Sequence, residues 1–535
     1  MRGRAQVAAC LFFGMWFSVV PVMKIMAQTI AGASPPSTPG RFSLGVGRSE
    51  GFGARALGMG GAFLAVADDA TAVIWNPAGL GQMSDAQVQV GGKYFSSETE
   101  RGFTSQTQAQ LGGVNFGGPR VLTEPRQSDD PSTKAAAEFA AFAYPFYIGA
   151  ARMVLALSAS EGKTDFGANQ LLMQDYSMTG VDAANQPFEY RGQGLATFGQ
   201  KGSQRSFAGS VAYNLEDRYL LGVTVARLDG TLDLTSSRGL QALEYRAGGI
   251  KIFGGPNEYF RNDSTWRTSQ EGLYAIVGLM VRPSDQWTVA GVYRTKSNVD
   301  LTYQVSDQLK ASFPLTPDGA TSANFVLHNL KGVSEVTLPA LYGAGIAFRP
   351  TPSWTVSVEY SASDWANATF EVAVNGTAQR FLYPSFRPVG RPAWIAESNL
   401  SPRDRFSFEQ FRSGVFRVGT EYVIPRGQGR YVPIRLGVVR EEAIYGLPGE
   451  AQPVIWGYSA GIGYLGKRVF LDVAVLYDEM TQKVSASVPF LAEEPYYIFP
   501  YEGIPVRFAP QYVTLSQGEY SQRLIRAVFS AGFRF

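Results

Sequence analysis

The chain has 535 residues, of which 17% are charged and 13% aromatic, with a formal net charge of +2. This length suits several ordinary domains or one large barrel, and the charged share is low for a soluble enzyme. The near-neutral balance excludes the electrostatic footprint of a nucleic-acid binder, and a single cysteine and a single histidine exclude a disulfide framework, a His-containing triad and the usual zinc sites.

In chain order, residues 1–27 read as an export signal. "MRGR" is basic, "AQVAACLFFGMWFSVVPVM" is apolar, and small residues at Ala27 and Ala33 offer two cleavage sites. A membrane anchor is the alternative, since the apolar run is nearly long enough. Cleavage after Ala27 removes Arg2, Arg4, Lys24 and Cys10, and leaves a cysteine-free chain with 44 basic and 45 acidic residues.

Residues 28–85 show no clean period of two. They contain "GARALGMGGAFLAVADDATAVIWNPAGL". "GFGARALG" is not a dinucleotide-binding G-x-G-x-x-G, because the third glycine is displaced and no strand–helix unit surrounds it. Asp68 and Asp69 are adjacent, so on an extended chain they point to opposite sides and make a poor acid–base pair. Gly58, Gly60 and Gly61 allow tight turns where space is short. Pro77 after Asn76 imposes an extended approach followed by a helical start. The aspartates are expected to cap a short helix, to accept from backbone N–H groups or to pair with inward arginines such as Arg417 and Arg435.

From residue 86 onward the period becomes two. In "RVFLDVAVLYD", Val469, Leu471, Val473, Val475 and Tyr477 oppose Phe470, Asp472, Ala474, Leu476 and Asp478. "SWTVSVEYS" and "WGYSAGIGY" alternate in the same way. The apolar face carries aromatics at its ends, as a membrane girdle requires, and the other face is too polar and glycine-rich for a dry core. Short turns are predicted at 144–149, 214–218, 282–286, 349–353, 425–430 and 465–468. With a strand before and a strand after, these six hairpins total fourteen strands. Long connections fill roughly residues 97–136, 160–205, 229–270, 297–339, 363–412, 441–455 and 479–521. A strict short–long alternation is the pattern of an outer-membrane barrel, with a soluble all-β protein as the alternative. No transmembrane helix is apparent beyond the signal. His328 falls in one of the long connections, next to Asn329.

The last strand, "RLIRAVFSAGFRF", places Ile525, Ala527, Phe529, Ala531, Phe533 and Phe535 on one face. Its ending resembles the signal read by the outer-membrane assembly machinery, with Phe533 and Phe535 as its carriers. "ALGMGGAFLAVADDATAVIWNPAGL" resembles the N-terminal hatch of the FadL family, outer-membrane transporters of long-chain fatty acids and aromatic hydrocarbons. Asn76, Pro77 and Ala78 match the family's Asn-Pro-Ala signature, and Gly58 to Ala62 with Ala67 to Ala70 match its lead-in. The resemblance implies an all-β fold: a 14-stranded antiparallel transmembrane β-barrel over residues 86–535, with residues 28–85 as a plug. It implies an outer-membrane location in a Gram-negative-type bacterium, among lipid and lipopolysaccharide, with no cofactor, no metal and no catalytic residue. Hydrophobic small molecules would be captured by the outer loops at 229–270 and 297–339, through Ile252, Phe253, Phe313, Phe325 and Leu327. They would then meet Phe63, Ile74 and Trp75 of the hatch. The alternative function is an interaction partner in protein secretion or surface attachment.

Overall fold

The computed structural model describes residues 51–535 except 108, 112–113, 117–121, 124–126, 129–131, 150, 167–173, 182–186, 248, 255–258, 313–322, 364–368, 382–393, 401–402, 408–412, 443–453, 485–496, 502–503, 508–512 and 515–517. Side chains are described chiefly over 51–94, 137–149, 151–161, 202–231, 267–300, 337–363, 414–442, 454–481 and 523–535. The export signal and residues 28–50 lie outside the described residues.

The staves of the barrel are β1 Gln87–Thr107, β2 Ser132–Ile148, β3 Ala151–Phe166, β4 Pro187–Leu215, β5 Tyr219–Ala247 and β6 Tyr259–Val281. Four staves are each described in two pieces: β7 (Trp287–Arg294 and Ser297–Ser312), β8 (Ala323–Leu338 and Leu341–Thr351), β9 (Trp354–Ser363 and Thr369–Phe381) and β10 (Arg403–Ser407 and Ser413–Pro425). The rest are β11 Tyr431–Glu442, β12 Val454–Leu465, β13 Val469–Val484 and β14 Gly518–Arg534. Among the described residues this makes fourteen antiparallel staves. Each pairs with its sequence neighbours, and β14 closes the ring on β1 from Gln87↔Arg534 to Phe103↔Gly518.

Burial fixes which face points out. On β13, Val469, Leu471, Val473 and Val475 are exposed, while Phe470, Asp472, Ala474, Leu476 and Asp478 are buried. The apolar face is therefore the outer one, which only a lipid environment stabilises. Exposed rings recur six residues apart on four staves: Trp287 and Tyr293, Trp354 and Tyr360, Phe416 and Tyr422, Tyr458 and Tyr464. Six residues span about 20 Å along a strand, close to the ~25 Å apolar band between aromatic girdles. Trp287 stacks on Phe348 at 4.4 Å at one edge of this band, and Tyr293 meets Tyr342 at 5.2 Å at the other.

Two readings of the sequence change. Tyr144–Ile148 belongs to β2, with Ile148 opposite Ala151, so the turn is confined to the neighbourhood of Gly149, whose φ is 63°. The long connections at 229–270 and 297–339 are largely strand. β5 pairs β6 without a break from Tyr219↔Val281 to Gln241↔Tyr259, and β7 pairs β8 from Ser297↔Leu338 to Ala311↔Ala323. Once a stave leaves the apolar band neither face needs to be hydrophobic, so the period-two signal vanishes while the backbone ladder continues. His328 accordingly sits in the β8 ladder, opposite Asp307, rather than in a loop.

Val473→Arg, on the outer face near mid-band, is expected to destabilise the folded barrel by about 2–4 kcal/mol, and Thr481→Arg, beyond the band, by under about 1 kcal/mol. Reversible denaturant titration from lipid vesicles reads both.

Candidate functional site

Residues 51–83 precede β1 and are almost wholly buried. They form α1 (Ala54–Gly58), α2 (Ala72–Trp75) and a single 3-10 turn, Pro77–Gln82. Helices this short have no independent stability, so contacts with the inner wall hold their shape. Asn76 shows how. Its Oδ1 accepts from the Ala78 N–H at 3.1 Å and caps the 3-10 turn begun by Pro77, while its Nδ2 donates to the Leu64 carbonyl at 2.9 Å. The Asn-Pro-Ala run is thus a backbone clamp joining two parts of the segment.

Wall glycines make room for this backbone. A Cβ on Gly437 would come 2.1 Å from the Gly60 nitrogen, and one on Gly419 would come 2.3 Å from the Met59 carbonyl oxygen. A Cβ on Gly222 would meet Pro77 at 2.2 Å, and one on Gly278 would meet Asn76 at 2.0 Å. Gly60 itself has a φ of 67° and Gly61 of 75°, so a side chain there is strained as well as crowded. Gly58 lies against Gly461, and its carbonyl accepts from the Ser459 hydroxyl at 3.0 Å.

The charges divide between segment and wall. Arg55 of α1 pairs with Asp68, lies 3.8 Å from Asp69, and makes a two-pronged contact with Glu421 of β10 at 3.0 and 3.1 Å. Glu421 also accepts from Arg435 of β11 at 2.6 Å, and Arg435 donates to Asp472 of β13 at 2.6 Å. Glu359 of β9 accepts from the Phe63 and Leu64 N–H groups, both at 3.0 Å, and pairs with Arg417 of β10 at 2.7 Å. Asp69 accepts from the Thr71 N–H at 2.9 Å, and burial pushes its carboxyl above the usual carboxylate range despite Arg55. Among the described residues no cluster of His, Cys, Asp and Glu forms a metal-binding group.

The opposite end of the segment is held by hydrogen bonds to its backbone carbonyls. The Gly81 carbonyl accepts from Asn214 at 2.7 Å and from Arg152 at 3.2 Å, and the Thr224 hydroxyl donates to the Val73 carbonyl at 2.8 Å. Beside the charged end lies a cavity with about 40 Å³ of water-accessible space, lined by Leu57, Gly60, Gly61, Trp75, Arg417, Ser459, Asp478 and Arg526 among others. That holds one or a few waters, far less than the ~300 Å³ or more of a typical ligand pocket.

The sequence-derived residues distribute as follows. Gly58, Gly60, Gly61, Asn76, Pro77 and Ala78 are backbone determinants. Asp69 accepts from a backbone N–H as expected, that of Thr71, but Asp68 and Asp69 both attend Arg55, so the expected pairing with Arg417 or Arg435 is corrected: those arginines serve wall carboxylates. Trp75 lines the cavity and donates to the Phe52 carbonyl at 3.0 Å. Phe63 is fully buried against the Trp75 ring edge at 6.0 Å and under Arg55, packed in the core rather than facing the cavity. Ile74 packs on the same core. The side chains of Ile252, Phe253, Phe325 and Leu327, and all of Phe313, lie outside the described residues. Phe533 and Phe535 are exposed at the short-turn rim, 5.1 Å apart, where the Phe535 N–H donates to the Ala86 carbonyl at 3.0 Å. Arg55, Glu359, Glu421 and Asp472 were not singled out from sequence as a set. For Glu359, Glu421 and Asp472 the available signal was a charged residue in phase with the polar face of a membrane strand; Arg55, on α1, carried no such signal.

Comparison with known proteins bears on this arrangement. Residues 48–378 match the family model described as outer membrane protein transport protein (OMPP1/FadL/TodX). The fold is similar to that of a Pseudomonas aeruginosa FadL homologue at 12% identity and a TM-score of 0.50, covering 90% of this chain and 98% of that one. It is also similar to the P. putida toluene transporter TodX at 14% identity and a TM-score of 0.51, covering 91% and 99%. No curated protein sequence matches the chain.

Gly437→Ala is expected to push the Gly60 backbone off the wall at a cost on the order of 1–3 kcal/mol, whereas Gly291→Ala, whose nearest neighbour is 3.9 Å away, is expected to be silent. Limited trypsin digestion checks this: cleavage after Arg55 rises in the first variant only, with the barrel itself intact.

Proposed function

The chain belongs to the OMPP1/FadL/TodX family of outer membrane transport proteins, a family of transport channels rather than enzymes, and from that premise we propose that it admits hydrophobic small molecules, fatty acids or aromatic hydrocarbons, by passive diffusion through a lumen gated by residues 51–83. The carrying observation is the way the segment is attached. Each wall carboxylate that holds it is also paired to a wall arginine, Glu421 to Arg435 and Glu359 to Arg417. Each hatch charge likewise has a hatch partner, Arg55 with Asp68 and Asp69. Removing one partner of a buried pair is costly because it strands a bare charge, on the order of 3–5 kcal/mol. Here separation of hatch and wall strands none, so the contact is suited to opening. The end held through its Gly81 and Val73 carbonyls serves as the hinge.

A covalent lock tests gating. The Ala54 N–H donates to the Ser530 hydroxyl at 3.3 Å, so Ala54→Cys with Ser530→Cys places a disulfide across the charged end, and Cys10 is the sole native cysteine. Uptake of a labelled aromatic hydrocarbon or fatty acid into proteoliposomes is expected to fall at least tenfold on oxidation and to recover on reduction. Equal uptake in both states rejects hatch gating. No uptake above empty liposomes for any apolar probe rejects transport itself.

A further inference from the structure

The short-turn rim is electrically lopsided. Over the arc from β8 to β14, the turns and strand ends carry Arg349, Arg426, Arg430, Lys467, Arg468 and Arg534, with no acidic residue in 349–353, 426–430, 466–468 or 533–535. The rest of the rim is mixed: it carries Arg152, Arg218 and Arg282 but also Asp85, Glu216, Asp217 and Asp285, and Arg152 pairs with Asp217. The arc is continuous, since the Val423 N–H donates to the Ser353 carbonyl at 2.8 Å and the Arg534 N–H to the Arg468 carbonyl at 2.7 Å.

The arc is also built rather than floppy. In the 426–430 turn the Arg426 N–H donates to the Arg430 carbonyl at 2.8 Å and the Arg430 N–H to the Gly427 carbonyl at 3.0 Å. Gly427, Gln428 and Gly429 hold left-handed conformations, with φ of 77°, 55° and 72°. The Lys467 stem runs within 3.6 Å of where a Gly429 Cβ would stand, which brings Lys467 beside Arg426 and Arg430. All four of Arg426, Arg430, Lys467 and Arg468 are exposed.

Depth decides what they meet. The exposed rings of Trp354, Tyr422, Tyr431 and Tyr464 mark the membrane interface on the same staves. Arg430 immediately precedes Tyr431, and the connecting turns are too short to carry the cations far past the rings. The headgroup layer extends about 5–8 Å beyond the hydrocarbon core, so the cations lie within it. A soluble acidic partner would be better served by cations on projecting loops.

We propose that the arc Arg426, Arg430, Lys467 and Arg468 binds the phosphates of anionic phospholipid in the leaflet at this rim, the periplasmic one in a barrel whose short turns face the periplasm, with a lipid carrying two phosphates, such as cardiolipin, held most tightly. The purified full-length barrel in mild detergent, titrated with cardiolipin, phosphatidylglycerol or phosphatidylethanolamine and read by native mass spectrometry, tests this. Wild type is expected to retain cardiolipin and phosphatidylglycerol over phosphatidylethanolamine. R426Q/R430Q/K467Q/R468Q is expected to bind cardiolipin about tenfold or more weakly, since basic side chains near the surface add roughly independently. R205Q/R227Q, at exposed cations on the long-strand side, is expected to match wild type. Heat-modified gel mobility confirms folding, and R426Q/K467Q replaces the quadruple variant if that one fails to fold. Equal cardiolipin retention by wild type and the rim variant overturns the proposal. So does displacement of cardiolipin by millimolar inorganic phosphate, which marks a simple anion site, or retention of an acidic polypeptide in preference to lipid.

Discussion

Arg55 is a guanidinium enclosed inside a β-barrel, and the surrounding geometry follows from that. A buried cation must be paired, and it must be paired well enough that its partners are not themselves left bare. Asp68 and Asp69 supply partners from its own segment, and Glu421 supplies one from the wall. Glu421 then needs Arg435 for the same reason, and Arg435 is balanced in turn by Asp472. The network therefore runs outward from α1 through β10 and β11 to β13. It orders the staves' inner faces as much as it orders the segment.

The steric complement is backbone against backbone. Met59 and Gly60 lie on Gly419 and Gly437, and Asn76 and Pro77 on Gly278 and Gly222. Glycine weakens an isolated strand, but in a closed barrel neighbouring staves hold the ladder, and the missing side chains become sockets. Sockets at both ends, with an ion pair between segment and wall at one, give the segment a tight seat whose two ends differ in kind. One end depends on ion pairs with polarity and ionic surroundings; the other on hydrogen bonds to Gly81 and Val73 carbonyls.

Much of this was legible in the sequence, and the exceptions have a common cause. The staves announced themselves through strict alternation, as in Val469 to Asp478, and four of the six turns fell where they were read; the 349–353 turn narrows to Pro352 and Ser353, since β8 runs to Thr351. Tyr144–Ile148 misled because Pro145 and Gly149 read as a longer turn than the ladder allows. The upper parts of β5 to β8 were hidden because alternation is a signature of a lipid boundary, and beyond that boundary only backbone pairing remains. In the segment, Asn76 and Pro77 foretold a local conformation correctly in kind. Asp68 and Asp69 were matched to the wrong arginines, since Arg417 and Arg435 share a face with Glu359, Glu421 and Asp472 across neighbouring staves. Period-two patterning reports a residue's face but not its register, and register chooses the partner.

The ladder between β1 and β14 has a further consequence. Gln87 and Arg534 are rung partners although nearly the whole chain separates them. Contacts of such sequence distance form late, after the loop entropy of everything between has been met. Until they form, both strands present open hydrogen-bonding edges that lipid cannot satisfy. Sealing the ring and enclosing its contents therefore fall to the same pair of strands: β1, which follows the segment directly, and β14, which closes on it.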